Sequence, residues 1–417
     1  MIPSRNLVVV TALAVASVLV AGPVAADWSA GVDLYHQGRF AEAAEHFREV
    51  VKSNPGWPGG YLMLGRCQLA LEQHGDALDN LRTAAELDPG DPANAATLSR
   101  VLMALDRHTE ARELLEGLDL DKLSQPWKVE TARMLARCLL AEDRAADAVA
   151  LLEARLADAP DSAALHRAVA AAHQETGDRA AALDHLARAF SLDPDDQTSG
   201  RAATTTALAL AAAASDDGLA AGFYARALGL ATELATAAPV YENALLAGEA
   251  ACGADELEAA AGWFAAAVKE RPQEPVARYH LGRTLALLDR NDEAIGHLRA
   301  ALGAAPDSEL AVRIHGQLGR LLACRLELPE AARHYRAAGD DARAGRIDEL
   351  AGGYDEALAH LVKLRNDSAE LAGMEGELEA LGDANGVTAV AERRAAMGQE
   401  IAGIEGNLSA VRAALCQ

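Results

Sequence analysis

Apolar residues recur every three or four positions through most of this chain, in short runs separated by polar turns. Such spacing puts one stripe of apolar side chains on each of many short helices. The stretch from Glu274 to Ser308 carries the pattern most clearly. One apolar-periodic helix runs to Leu288, Asp289-Arg290-Asn291 makes a polar turn, a second helix follows, and Pro306 closes the unit. Pro272 lies 34 positions before Pro306, which sets the period. A lone helical hairpin cannot bury its stripe, so hairpins of equal length are expected to stack on one another.

Within this unit, Leu281-Gly282, Leu285, Ala294, Leu298, Ala301 and Pro306 occupy the marked positions of a helical repeat, and the stretch resembles a tetratricopeptide repeat. Comparable sets follow the chain. The first has Leu34-Tyr35, Ala43, Phe47 and Pro55; the second, Leu64-Gly65, Ala77, Leu81 and Pro89. The third has Leu98, Leu102, Ala111 and Leu115 but departs from the pattern at Asp119 to Gln125, where a longer joint is expected. The fourth has Leu135-Ala136, Ala148, Leu152 and Pro160; the fifth, Val169-Ala170, Ala182, Leu186 and Pro194.

A weak unit then spans Gln197 to Ala238. It lacks the Leu-Gly pair, contains the poor helix sequence Thr204-Thr205-Thr206, and turns at Asp216-Asp217-Gly218. Clean repeats resume with Ala247-Gly248, Ala260, Phe264 and Pro272, then with the Glu274 unit, then with Leu318-Gly319, Ala331 and Tyr335. A tenth, around Gly352-Gly353-Tyr354, is expected to have a shortened first helix. Beyond Asn366, Leu371, Met374, Leu378 and Leu381, and then Ile401, Ile404, Leu408, Val411 and Leu415, take seam-like spacing over about two heptads each, fewer than argue for a coiled coil.

The chain therefore divides into a leader at 1–26, five repeats at 27–196, a degenerate helical hairpin at 197–239, about four repeats at 240–365, and a C-terminal helical cap or coiled-coil-like hairpin at 366–417. The expected fold is all-α: a tetratricopeptide-like α-solenoid, a right-handed superhelix of helical hairpins with capping helices at its C-terminus.

Composition narrows the function. The formal net charge is −24, which disfavours nucleic acid and anionic lipid as partners. Leu7 to Val20 is an apolar run of 14 residues behind Arg5, short of the ~20 that span a bilayer. Val24-Ala25-Ala26 supplies small residues for cleavage after Ala26, so the expected location is the periplasm of a bacterium. The alternative is an uncleaved leader anchoring the chain in the inner membrane, facing the periplasm; only then is a membrane contact expected. Cys67, Cys138, Cys252, Cys324 and Cys416 are odd in number and widely spaced. The first four fall on first helices of different units and are expected to be small buried side chains.

No phosphate-binding glycine loop, dinucleotide fingerprint, zinc-protease helix, nucleophile elbow or paired-cysteine motif occurs, so neither catalysis nor a cofactor is expected. His166 and His173 share a helix face seven residues apart, with no third metal ligand at useful spacing. In the family this chain resembles, the position after the Gly/Ala of the Leu-Gly pair faces the concave groove and touches ligands. Here it holds Arg66, Arg137, Arg283 and Arg320, with Arg100 after Ser99 in the third repeat. Arg133 and Arg167 fall at a second groove-facing position four residues earlier, and Tyr35 and Tyr279, with Trp28, Leu62 and Met103, are expected on the same surface.

Arginine's planar fork suits carboxylates and phosphates. The resemblance thus implies a protein-binding scaffold or adaptor of the cell envelope whose groove takes an acidic or C-terminal segment of a partner. Two other readings stay open: the arginines pair with nearby acids inside the array, or the chain is an accessory or regulatory subunit of an envelope enzyme or export complex acting through its C-terminal helices.

Overall fold

The computed structural model describes residues 23–305, 308–381 and 383–416. The leader up to residue 22, and Pro306, lie outside the described residues. Among the described residues there are twenty α-helices, one short 3-10 turn and no strand. The chain divides into two compact units, the first ending at Asp193 and the second starting at Pro194.

In the first unit the helices are α1 (Pro23–His36), α2 (Phe40–Ser53), α3 (Pro58–Ala70), α4 (His74–Leu87), α5 (Pro92–Ala104), α6 (His108–Glu116), α7 (Gln125–Ala141), α8 (Ala145–Asp158), α9 (Ala163–Thr176) and α10 (Arg179–Leu192). Each packs on the next, and α3, α5, α7 and α9 also touch in succession, so the first helices of the hairpins form one continuous layer. The longer joint after the third repeat is a 3-10 turn at Leu120–Lys122.

The second unit holds α11 (Gln197–Ala213), α12 (Asp217–Ala237), α13 (Tyr241–Gly253), α14 (Leu257–Glu270), α15 (Pro275–Leu287), α16 (Asn291–Ala304), α17 (Glu309–Cys324), α18 (Leu328–Ala337), α19 (Asp341–Leu381) and α20 (Ala384–Cys416). Stacking is again between neighbours, with α15 also touching α17.

Two recurring devices make the hairpins. The first is the turn. Gly38, Glu72, Asp106, Asp143, Gly177, Asp255, Asp289 and Leu326 all have positive φ, between 57° and 81°. At most of them the next residue's N–H reaches back to a carbonyl five residues earlier, as Gln73 does to Gln68 at 2.9 Å and Arg290 to Leu285 at 2.9 Å. These are helix-ending bonds that satisfy carbonyls the helix leaves open. The second device is a small residue opposite a large one sixteen positions on. A Cβ on Gly65 would lie 2.5 Å from Leu81 Cγ, and one on Gly248 would lie 2.5 Å from Phe264 Cε1. Leu81 and Phe264 are fully buried, so the close approach of paired helices and the filling of the core are one arrangement.

Three expectations change. Thr204-Thr205-Thr206 lies inside the continuous helix α11. The Thr204 and Thr205 hydroxyls each bond a carbonyl four residues back at 2.9 Å, and Ala203, Ala207 and Ala211 are buried, so packing overrides weak propensity. The shortened tenth hairpin is absent, because α19 runs unbroken through Gly352-Gly353-Tyr354 for 41 residues. Ala351, Tyr354, Leu361 and Leu364 keep one face of α19 inward, and α20 returns antiparallel against it, which holds the helix through the glycines. Finally, Cys67 and Cys138 are buried free thiols and Cys252 a half-buried one, but Cys324 is disulfide-bonded. It ends α17 in a half-buried position rather than replacing an alanine in the interior. The Cys416 side chain lies outside the described residues.

Candidate functional site

The layer of first helices in the first unit carries Arg66 on α3, Arg100 on α5 and Arg137 on α7. Arg100 and Arg137 are exposed. Arg66 is half-buried, with its Nε 3.4 Å from Thr97 Oγ1. Burial pulls its pKa below the ordinary value, and neighbouring Arg100 adds to this, while Tyr35 and Asp91 oppose it. In the second unit Arg283 and Arg320 are exposed on α15 and α17, and the Arg283 guanidinium lies over the Tyr279 ring at 5.6 Å.

Among the described residues none of these five arginines forms an ion pair with a carboxylate. The contrast with other arginines is sharp. At the start of second helices, Arg107, Arg144 and Arg290 each grip an acid three residues on, at 2.5, 2.7 and 2.8 Å. Arg133 also pairs locally, with Glu130 at 2.7 Å, and Arg167 lies 3.9 Å from Asp193. The two expected flanking arginines are thus engaged within the array. Leu62 and Tyr279 are buried at 6% exposure, and Trp28 packs against Phe47 and Trp57, so much of the expected aromatic surface is core packing.

The second unit brings four arginines to a cleft of about 640 Å³. Arg313 and Arg320 come from α17, and Arg343 and Arg346 from α19. Tyr279 and Tyr335 contribute to the wall, with Ile347, Leu350, Val411 and Leu415 as its apolar part. No carboxylate lines it. Arg313 and Arg343 have partners at the rim, Glu309 at 3.2 Å and Asp340 at 3.3 Å; Arg320 and Arg346 have none among the described residues. Burial raises the Tyr335 phenol above its ordinary pKa, and the nearby charges of Arg343 and Arg320 counter it.

The cleft exists because the last turns of α20 lie against α17, where the first helix of a further repeat would stack. Arg343 and Arg346 were not among the expected residues. They sit on α19, whose course through the glycines could not be read from spacing, and α20 reaches them from the far end of the chain.

The structure also brings a third imidazole to His166 and His173: His185, on α10, lies against both rings. The signal was a 19-residue separation, repeated at His315 and His334, whose Nδ1 atoms are 2.7 Å apart.

Comparison with known proteins agrees with this architecture. Two models described as tetratricopeptide repeat match the chain, one at residues 12–59, 29–92 and 267–309 and the other at 69–126. No curated protein matches it in sequence. Solved structures similar in part include the MamA protein, at 16% identity over 42% of this chain and 94% of that one, with a TM-score of 0.35. The C-terminal part of a TPR repeat-containing protein from Cytophaga hutchinsonii aligns at 13% identity over 61% and 99%, with a TM-score of 0.47. A tetratricopeptide repeat protein from Parabacteroides merdae aligns at 16% over 63% and 98%, with a TM-score of 0.40.

The fold is an all-α solenoid of stacked helical hairpins. The chain is a tetratricopeptide repeat protein. This is the fold of protein–protein interaction scaffolds, which typically bind other proteins and are generally not enzymes. Among the described residues no helix is long and apolar enough to cross a membrane.

Proposed function

We propose that this chain is an exported scaffold of the bacterial cell envelope that holds an anionic segment of a partner protein. The segment's acidic side chains or terminal carboxylate meet the arginine cleft of the second unit, and its apolar side chains meet Ile347, Leu350 and Val411. One observation carries this reading: four arginines line a cleft that no carboxylate lines, in a chain of net charge −24. Arg320 and Arg346 have no carboxylate partner among the described residues, and a bound carboxylate would accept paired hydrogen bonds from such an arginine fork. Export rests on the apolar run Leu7 to Val20 and the small residues Val24-Ala25-Ala26.

The test is a double charge reversal, Arg320→Glu with Arg346→Glu, neither residue being engaged in the array's own ion pairs. Affinity capture from an envelope fraction should recover a partner with the parent protein and lose it with the variant. Equal recovery by a variant whose circular dichroism is unchanged would overturn the cleft as the binding site. Cell fractionation tests the location separately; a protein found wholly in the cytoplasm at its full length would overturn export.

A second reading has its own observation. α19 and α20 form a long antiparallel hairpin tied across by His360–Glu400 at 3.0 Å and Arg365–Glu405 at 2.5 Å. Leu358, Val362, Met374 and Leu381 remain exposed along α19. This suits docking through the hairpin, as an accessory subunit would use it. Loss of partner after polar substitution at Val362 and Met374, with the arginine variant still binding, would favour that reading.

A further inference from the structure

We propose that α8, α9 and α10 carry a zinc-type metal site built from Glu153, His173 and His185, with His166 as its positioning residue. One donor atom of each of the first three lies within 4.8 Å of the others. His173 Nε2 is 3.6 Å from Glu153 Oε1, and that nitrogen is buried with no hydrogen-bond partner. Ligands at the corners of a tetrahedron around zinc, with bonds near 2 Å, stand roughly 3.4 Å apart. The His173–Glu153 pair is therefore nearly in place, and Glu153, half-exposed, is free to move by a rotamer change toward the rest.

The hydrogen bonds fix which nitrogen is available. His166 Nε2 lies 3.0 Å from the Pro160 carbonyl, which can only accept, so that nitrogen carries the proton. The neutral His166 ring then has its lone pair on Nδ1, 2.9 Å from His185 Nδ1, which must donate. The proton of neutral His185 is thereby committed to Nδ1, and its Nε2 lone pair is left without a donor. Metal-binding imidazoles are oriented by the hydrogen bond their other ring N–H donates; here the acceptor is His166, itself held by the Pro160 carbonyl.

Two imidazoles and a carboxylate suit zinc and leave one position for water or a partner's side chain. The ion would tie three consecutive helices together. The second unit has a natural control: His315 and His334 repeat the imidazole pair, but Leu322 stands where His173 stands, and Glu330 is held by Arg299 at 2.7 Å.

Untagged protein stripped with chelator is dialysed against zinc chloride, and bound zinc is counted per chain. One equivalent is expected, with a visible cobalt(II) band of tetrahedral intensity when cobalt(II) replaces zinc. His173→Leu should abolish uptake, Glu153→Gln should weaken it without disturbing the fold, and His334→Leu should leave it unchanged. His166→Phe should weaken zinc binding about 10- to 100-fold while circular dichroism stays the same. Failure of the parent protein to take up stoichiometric zinc, or full uptake by both His173→Leu and Glu153→Gln, would overturn the site.

Discussion

Substituting Gly248 by alanine tests the packing of the hairpins most directly. In an ordinary helix interior the change stabilises by about 0.8–1.0 kcal/mol, because alanine has less backbone freedom to lose. Here the new methyl would stand 2.5, 2.6 and 2.8 Å from three atoms of the Phe264 ring. Phe264 is fully buried, so the ring cannot swing into solvent and the two helices must part. Overpacking of this kind costs about 1–3 kcal/mol, which outweighs the propensity gain and leaves a net loss of about 1 kcal/mol.

Gly262, on the exposed face of the adjacent α14, supplies the comparison, because a Cβ there meets nothing within 4 Å. Gly262→Ala should gain nearly the full helix term. Solenoids do not unfold in one step, so the assay is peptide-resolved hydrogen exchange across α13 and α14 rather than a global melt. Gly248→Ala should speed exchange there about fivefold and Gly262→Ala should slow it by a similar factor. Adding Phe264→Leu to Gly248→Ala should recover part of the loss by freeing space. If Gly248→Ala protects as well as Gly262→Ala, the inter-helix contact does not limit the approach and the reasoning fails.

Two further outcomes follow from buried polar groups. Asn243 is fully buried; its Nδ2 donates to the Ala238 carbonyl at 2.9 Å and its Oδ1 accepts from Arg201 Nε at 2.6 Å. Asn243→Ala should therefore cost about 1–3 kcal/mol, read as faster exchange at the start of α13, and an unchanged rate would refute it. His280 stacks on Phe264 and is pushed down to about 4 from 6.5, chiefly by burial and next by Arg283. The unfolded chain takes this proton first, so stability present above pH 6.5 is lost as pH falls toward 4, by roughly 3 kcal/mol. His280→Gln should flatten the pH dependence of melting in that window; an unaltered slope would show that other groups carry it.

The hairpins were legible along the chain because both devices that build them are local. The turn needs a residue tolerant of positive φ at a fixed place, and Gly38, Asp106 and Asp289 recur there. The small–large pairing is a constant sixteen-residue offset, so Gly65 with Leu81 and Gly282 with Leu298 can be found by counting. The exposed arginines of the first helices follow from the same register. Counting failed at α19, since glycines at 352 and 353 read as a turn while the returning α20 keeps the helix continuous.

By itself the sequence determined the all-α class and the repeat length, because these depend on neighbours a few positions away. Tertiary structure alone decided which arginines remain without a carboxylate, that Arg343 and Arg346 join Arg320 in one cleft, and that His185 and Glu153 meet His173. Those encounters join side chains from different helices, and periodicity within one helix does not report them. Only stacking, and the return of α20 onto α17, brings them together.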